Sequence, residues 1–297
     1  MLKGLDSLGL KYLNFCNGTF PKEIKSEPKE KKDAGDFNIL VNPSSRFSKT
    51  MWPSQASARD STLIGPCVES IFGSLFAVKN WKNFLVASEW HRQVFLKMSP
   101  KKTKGKNIFV WPIGVDTEKY KPKDEKVKYD CIIHAKHRNP NELPYIESVL
   151  KKLGQTLHPQ SLRWAPPGIP GCGYLPQAIT ERCNECKYCI ILDGAETQGI
   201  ANMEIMSTNT PVLVFDVNAH YNYGGVHTPI EATSVPYFSD ECGMVLHEKE
   251  YNICYKDNHD GVDKYKDLPT DNPGDRRGIK WKENYAEEKL SEFLKNL

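Results

Sequence analysis

The sequence predicts an α/β protein with open parallel sheets, and three observations carry that expectation. Short apolar runs recur along the chain, and several are near-continuous rather than alternating, as strands covered on both faces are. Amphipathic helical patterns lie between those runs, the alternation that builds a parallel sheet. A polar passage from Val110 to Lys128, with Gly114, Pro122 and several charges, separates an apolar strand from a new buried one. It divides the chain into candidate domains at 1–113 and 114–297. A chain of 297 residues can bury one large core or two medium ones.

Taken in order, the expected strands are Asn38–Val41, Asn83–Ser88, Asn107–Ile113, Tyr129–Ala135, Cys189–Asp193, Pro211–Asp216 and Met244–His247. Between them, Ser88 is placed to cap a helix, "EWHRQVFLKM", that stops before Ser99-Pro100. "ELPYIESVLKKLG" spaces Ile146, Val149, Leu150 and Leu153 on one face and ends at Gly154. "PQAITERCNECK" opens with Pro176, which a first helical turn tolerates. "NYAEEKLSEFLKNL" closes the chain as a short amphipathic helix, a candidate to pack back on the first half. The polar stretch before it reads as a long loop.

Composition narrows the function classes. The formal charge is only +3 and the lysines are spread along the chain, which does not suggest nucleic acid. Two basic runs, Lys22–Asp33 and Lys101–Asn107, read as solvated loops, the second also suited to an anionic surface or substrate. No stretch approaches the roughly 20 apolar residues of a membrane span, so membrane contact is expected to be peripheral at most. The first residues lack the apolar region and small-residue cleavage site of a secretory leader. Nine cysteines, odd in number and irregularly spaced, argue for a reducing compartment. A cytoplasmic protein is expected.

The stretch with the most chemistry is "DGAETQGIANMEIM", Asp193–Met206, directly after the apolar run "YCIIL". A helix starting near Gly199 turns the free amides of Gly199, Ile200 and Ala201 outward at a strand's carboxyl end, a cradle for phosphate. A glycine there lets a ligand approach the backbone. Glu196 precedes that start and Glu204 follows it. A carboxylate beside a diphosphate is repelled by it, so its work is to accept hydrogen bonds from hydroxyls. A nucleotide sugar offers hydroxyls on both flanks of its diphosphate. Singly, each glutamate has an ordinary use, in the helix dipole or as a helix former; the pair, the glycine and the strand together point to a site.

Those residues carry a resemblance. "ETQGIANME" is similar to the glutamate-seven residues-glutamate motif of retaining glycosyltransferases of the GT-B fold, in particular glycosyltransferase family 4. "VASEWHRQVF" resembles that family's serine-initiated helix, "VWPIGVDTEKYKP" its interdomain passage, "NTPVLVFDV" the strand after the glutamate helix, and "ATSVPYFSDECG" a segment closing the site. The likeness spans roughly Leu63 to Leu246 in matching order. It implies two Rossmann-like domains, from which this chain departs in an amino-terminal half short for a complete one, so a reduced amino-terminal domain is expected. It implies that Glu196 contacts the donor sugar, that Glu204 holds the ribose, and that Gln198, Gly199, Ile200 and Ala201 bind the donor. Lys136 and Arg138, in "IIHAKHRN", are implied to neutralise the leaving phosphate. The expected reaction moves a sugar from a nucleotide-diphosphate sugar to a glycan, protein or lipid acceptor with retention, and needs no cofactor and no metal. "IGPCVES", Ile64–Ser70, stands where the other half of the cleft is expected.

Two alternatives stay open: a non-catalytic nucleotide-sugar-binding protein, suggested by the short amino-terminal half, and a nucleotide-sugar epimerase. Apart from these, "CNECKYC" spaces Cys183, Cys186 and Cys189 by three. With Cys172 they suit zinc or an iron–sulfur cluster, though buried core thiols explain them better. His134 and His137 flank Lys136 and are candidates for lining the donor site.

Overall fold

A computed structural model describes residues 38–40, 62–67, 82–98, 100–124, 126–136, 138, 142–160, 162–163, 176–220, 230–252 and 281–297. The chain divides into two compact units, Met1–Ala87 with Ser99–Gly114, and Ser88–Met98 with Val115–Leu297.

Among its described residues the first unit contains four strands, β1 (Asn38–Leu40), β2 (Thr62–Cys67), β3 (Asn83–Val86) and β4 (Asn107–Val110), paired side by side in chain order and all parallel. Apolar side chains make the central strand: Phe84, Leu85 and Val86 are buried, with Ile108 opposite Phe84. The β2–β3 register shifts between Ile64 and Cys67, where Pro66 has no N–H to give the ladder. That places part of "IGPCVES" inside a strand; residues 68–70 lie outside the described set. β4 is shorter than expected, because the ladder ends where Trp111 N–H donates to Val86 O and Pro112 follows.

In the second unit, helix α1 (Glu89–Met98) buries Trp90, His91 and Phe95. Ser88 O accepts from Arg92 N–H, as the start of a helix requires. Its hydroxyl, expected as the cap, is buried and has no hydrogen-bond partner among the described residues.

The strands that follow are β5 (Tyr129–Lys136), β6 (Leu162–Arg163), β7 (Cys186–Asp193), β8 (Val212–Asp216), β9 (Ala219–His220), β10 (Ile230–Glu231) and β11 (Gly243–His247). β9 and β10 form a small antiparallel pair; the other five form one sheet in the order β11-β8-β7-β5-β6, every neighbour parallel. Helices α2 (Glu142–Lys152), α3 (Pro176–Asn184), α4 (Ile200–Ser207) and α5 (Tyr285–Lys295) cover it. This is a parallel, Rossmann-like α/β arrangement.

Strand alternation sorts the core into two faces. Cys131, Ile133, Tyr188, Ile190, Leu192, Leu213 and Phe215 pack with Ile146, Val149 and Leu150 of α2 and with Ala286, Leu290 and Phe293 of α5. Ile132, Cys189, Ile191, Val212 and Val214 pack with Ile179 and Cys183 of α3 and Ile205 of α4. Both faces are therefore apolar, which is why these strands read as continuous runs.

The apolar stripe of the last helix enters the core of the second unit, with Phe293 edge-on to Tyr188 at 5.5 Å. One expectation is corrected. The helix over 176–187 stops at Asn184, whose side-chain amide donates to Thr180 O and Lys121 O. The three residues that follow turn into β7 instead, so the cysteine-spaced segment is divided between a helix end and a strand.

Gly243 takes φ 145 where β11 begins, and a Cβ there would overlap the Val212 carbonyl of the neighbouring strand. Gly243→Ala is expected to cost on the order of 3 kcal/mol, read as a lowered urea midpoint. His91 is expected to make stability pH-dependent. Burial pushes its imidazole down to about 4, so between its ordinary value of roughly 6.5 and that point the unfolded chain binds the extra proton. Stability falls as pH falls through this window, by roughly 3 kcal/mol. Urea titrations of wild type and His91→Leu at several pH values should show that slope only in the wild type.

Candidate functional site at the carboxyl edge of the second sheet

The alternation that builds the α3/α4 face also determines what stands at its edge. Ile132 is followed on the same side by His134 and Lys136, Cys189 and Ile191 by Asp193, and Val212 and Val214 by Asp216. Each strand therefore runs apolar until its carboxyl end and turns polar there. Numbered by chain position, the five strands are ordered 2-1-3-4-5, with the reversal of direction between β5 and β7. In open parallel sheets the crevice outside the carboxyl ends at such a reversal is where ligands bind.

Lys136 and Glu196 meet at that reversal. Lys136 pairs with Asp193 across the β5–β7 ladder, Gly194 N–H donates to Lys136 O at 2.7 Å, and the chain then turns to bring Glu196 Oε1 within 2.8 Å of Lys136 Nζ. The Glu196 side chain is 12% exposed. Burial holds its carboxyl above the ordinary range; the Lys136 ammonium opposes this, and the nearby Asp193 adds to it. Beneath the pair, His134 Nδ1 lies 2.9 Å from Asp193 Oδ1, both side chains buried. The backbone of Glu196 is held on both sides. Its N–H donates to Thr233 O at 3.0 Å, and its carbonyl accepts from the Trp90 indole at 2.9 Å.

Helix α4 begins next to this pair. Gly199 is its left-handed N-cap, φ 67 and ψ 47. A Cβ at that position would stand 3.1 Å from Ser234 O and 3.5 Å from Pro236 Cδ. The glycine is thus required by the protein's own chain, and room for a ligand is not needed to account for it. Among the described residues the N–H groups of Gly199, Ile200 and Ala201 meet no backbone acceptor. Gln198 is buried, its amide 3.6 Å from the Met203 sulfur, whereas Ile200 is exposed. Glu204, half-buried one turn on, accepts from the Tyr120 hydroxyl, to which Lys119 Nζ donates at 2.9 Å. Burial raises the Glu204 carboxyl.

Arg138 is placed differently from the expectation. It is buried, with Nε and Nη2 on Glu142 Oε1 and Oε2 at 3.1 and 2.5 Å. Nη1 donates to Phe215 O at 2.7 Å and Asp193 O at 3.3 Å, and Nη2 donates to the Tyr251 hydroxyl at 3.2 Å. Its guanidinium stitches the ends of β7 and β8 to α2. Of the basic pair, only Lys136 stands at the site.

Cys183, Cys186 and Cys189 are buried core thiols; burial pushes Cys183 up to about 12 and raises the other two as well. His137 and Cys172 lie outside the described residues. Sequence reasoning passed over Asp193, Asp216, Tyr120, Lys119, Trp90, Thr233 and Ser234. For the two aspartates a signal existed: each closes an apolar strand on the face that α4 covers.

No protein-family model matches the chain, and no curated protein matches it. No helix among the described residues is long and apolar enough to cross a membrane.

Arg138→Ala leaves the Glu142 carboxylate buried without its partner and is expected to cost about 3–5 kcal/mol. Replacing both residues by methionine should recover most of that loss, checked by urea denaturation of the three variants.

Proposed function

We propose that the protein binds a nucleotide-diphosphate sugar at the carboxyl edge of the second sheet and transfers the sugar to an acceptor with retention of configuration, as a GT-B-like glycosyltransferase. The observation that carries this reading is the Lys136–Glu196 pair, 2.8 Å apart at the strand reversal and beside the start of α4. A cation, a carboxylate and outward amides gathered at one edge of the sheet suit a ligand that is anionic in its middle and rich in hydroxyls at its ends.

In this scheme Lys136 and the amides of Gly199, Ile200 and Ala201 face the diphosphate, where charge grows as the bond to the sugar breaks; fixed charges aimed at that position are commonly the largest catalytic contribution. Glu196 accepts hydrogen bonds from the sugar hydroxyls and Glu204 from the ribose. The acceptor oxygen bonds to the anomeric carbon on the face the phosphate leaves, and its proton passes to the departing phosphate oxygen. No protein nucleophile takes part. A nucleotide-sugar-binding protein without transfer is the second reading, and the internal engagement of Arg138 favours it, since it leaves one cation fewer beside the leaving group.

Calorimetry on the full chain with uridine, guanosine and adenosine diphosphates and their sugar conjugates tests both. One base is expected to bind, with Lys136→Ala and Glu204→Ala each weakening it about tenfold, roughly 1.4 kcal/mol. Glu196→Ala should chiefly lower sugar release. Binding without release of any sugar supports the second reading, and failure of every member to bind rejects both.

A further inference from the structure

A second polar centre lies two strands away from Lys136, at the end of β8. Asp216 is buried, and its carboxylate accepts from Val217 N–H at 2.8 Å, Thr233 Oγ1 at 2.9 and 2.8 Å, Ser234 N–H at 2.6 Å and Ser234 Oγ at 2.6 Å. Nothing in the Lys136–Glu196 pair requires this cluster. Yet the two residues it grips are the two that touch the site. Thr233 O accepts from Glu196 N–H at 3.0 Å. Ser234 O accepts from Asn202 Nδ2 at 2.9 Å, and lies against Gly199. One carboxylate therefore holds, through a single turn, both the backbone of Glu196 and the first turn of α4.

We propose that Asp216 is a positioning residue for the site: by gripping Thr233 and Ser234 it fixes where the Glu196 carboxylate stands relative to Lys136 and the start of α4. The inference rests on the reading of Glu196 as the sugar-contacting acid. The geometry distinguishes it from ordinary packing. A buried carboxylate that only satisfied its own surroundings would need donors, but not donors whose carbonyls in turn reach Glu196 and Asn202. Three donors to Asp216, two hydroxyls and one amide N–H, belong to two consecutive residues, so the turn cannot rotate without breaking several bonds together.

The state of Glu196 reports on the clamp. The charges around its carboxyl are Lys136 and His134 from β5 and Asp193 from β7, and burial is the largest influence on it. Loosening the turn admits water, which favours the ionised form and lowers the titration midpoint. Carbon-13 NMR of the full chain labelled at glutamate, with the Glu196 resonance assigned by its loss in Glu196→Gln, follows that midpoint directly. In Thr233→Ala and Asp216→Asn it is expected to fall by about one pH unit, a tenfold change in proton affinity. Thr233→Ser keeps the hydroxyl and should restore the wild-type value, while Glu204 stays unmoved throughout. An unchanged Glu196 midpoint in folded Thr233→Ala, or no restoration by Thr233→Ser, overturns the proposal, and the threonine pair decides even if Asp216→Asn does not fold. The titration uses no nucleotide, so its outcome is separate from failure of nucleotide sugars to bind.

Discussion

The carboxyl edge of a parallel sheet is a concentration of unsatisfied polarity, and the second unit is organised around satisfying it. The ladder ends at that edge, beyond which helices follow β5 and β7, and the strand-end carbonyls need other partners. Two buried groups take up this burden. The Arg138 guanidinium reaches the carbonyls of Asp193 and Phe215 while Glu142 and Tyr251 balance it. Asp216 does the complementary work, accepting from the amides and hydroxyls of the turn that follows β10. A cation for carbonyls and an anion for amides together close the edge of β7 and β8 and leave β5 and the start of α4 for Lys136 and Glu196.

That division explains why the site tolerates so much buried charge. A buried carboxylate is costly unless it is paired and hydrogen-bonded. Glu196 has Lys136, Asp193 has His134, Asp216 has the turn, and Glu204 has Tyr120 with Lys119 behind it. Cations and hydroxyl donors are interleaved with the acids rather than set apart. Burial nevertheless keeps the Glu196, Glu204 and Asp216 carboxyls above their ordinary range.

Most of the second unit was legible in the chain. "CIILD" and "PVLVFD" announced strands because both faces of the sheet are apolar, and the Ile146, Val149, Leu150 spacing announced α2 because one of its sides is. Glu196 was singled out from local pattern and Lys136 through the resemblance, about 60 residues apart. Other features had no local signature. Arg138 reads as a loop cation beside Lys136, and only the fold shows it buried against Glu142 four residues on. Gly199 reads as an opening for a ligand, whereas the close neighbour is Ser234. The "CNECKYC" spacing resembles a ligand set, yet a helix end at Asn184 and a strand start at Cys186 send its thiols into the core.

Pattern along the chain reports what each residue needs from its nearest neighbours and from the nearest face: apolar periodicity, caps, breaks and the polar ends of strands. On those grounds the sequence by itself determined a parallel α/β architecture and the edge at which polar residues gather. Partnership across the sheet is another matter, because it depends on strand order and register. The tertiary structure alone decided that Lys136 meets Glu196, that Arg138 is withdrawn into the fold, and that Asp216 reaches the site through Thr233 and Ser234. Those contacts join residues brought together by a 2-1-3-4-5 order, and nothing in the spacing of a linear chain encodes which strand will stand beside which.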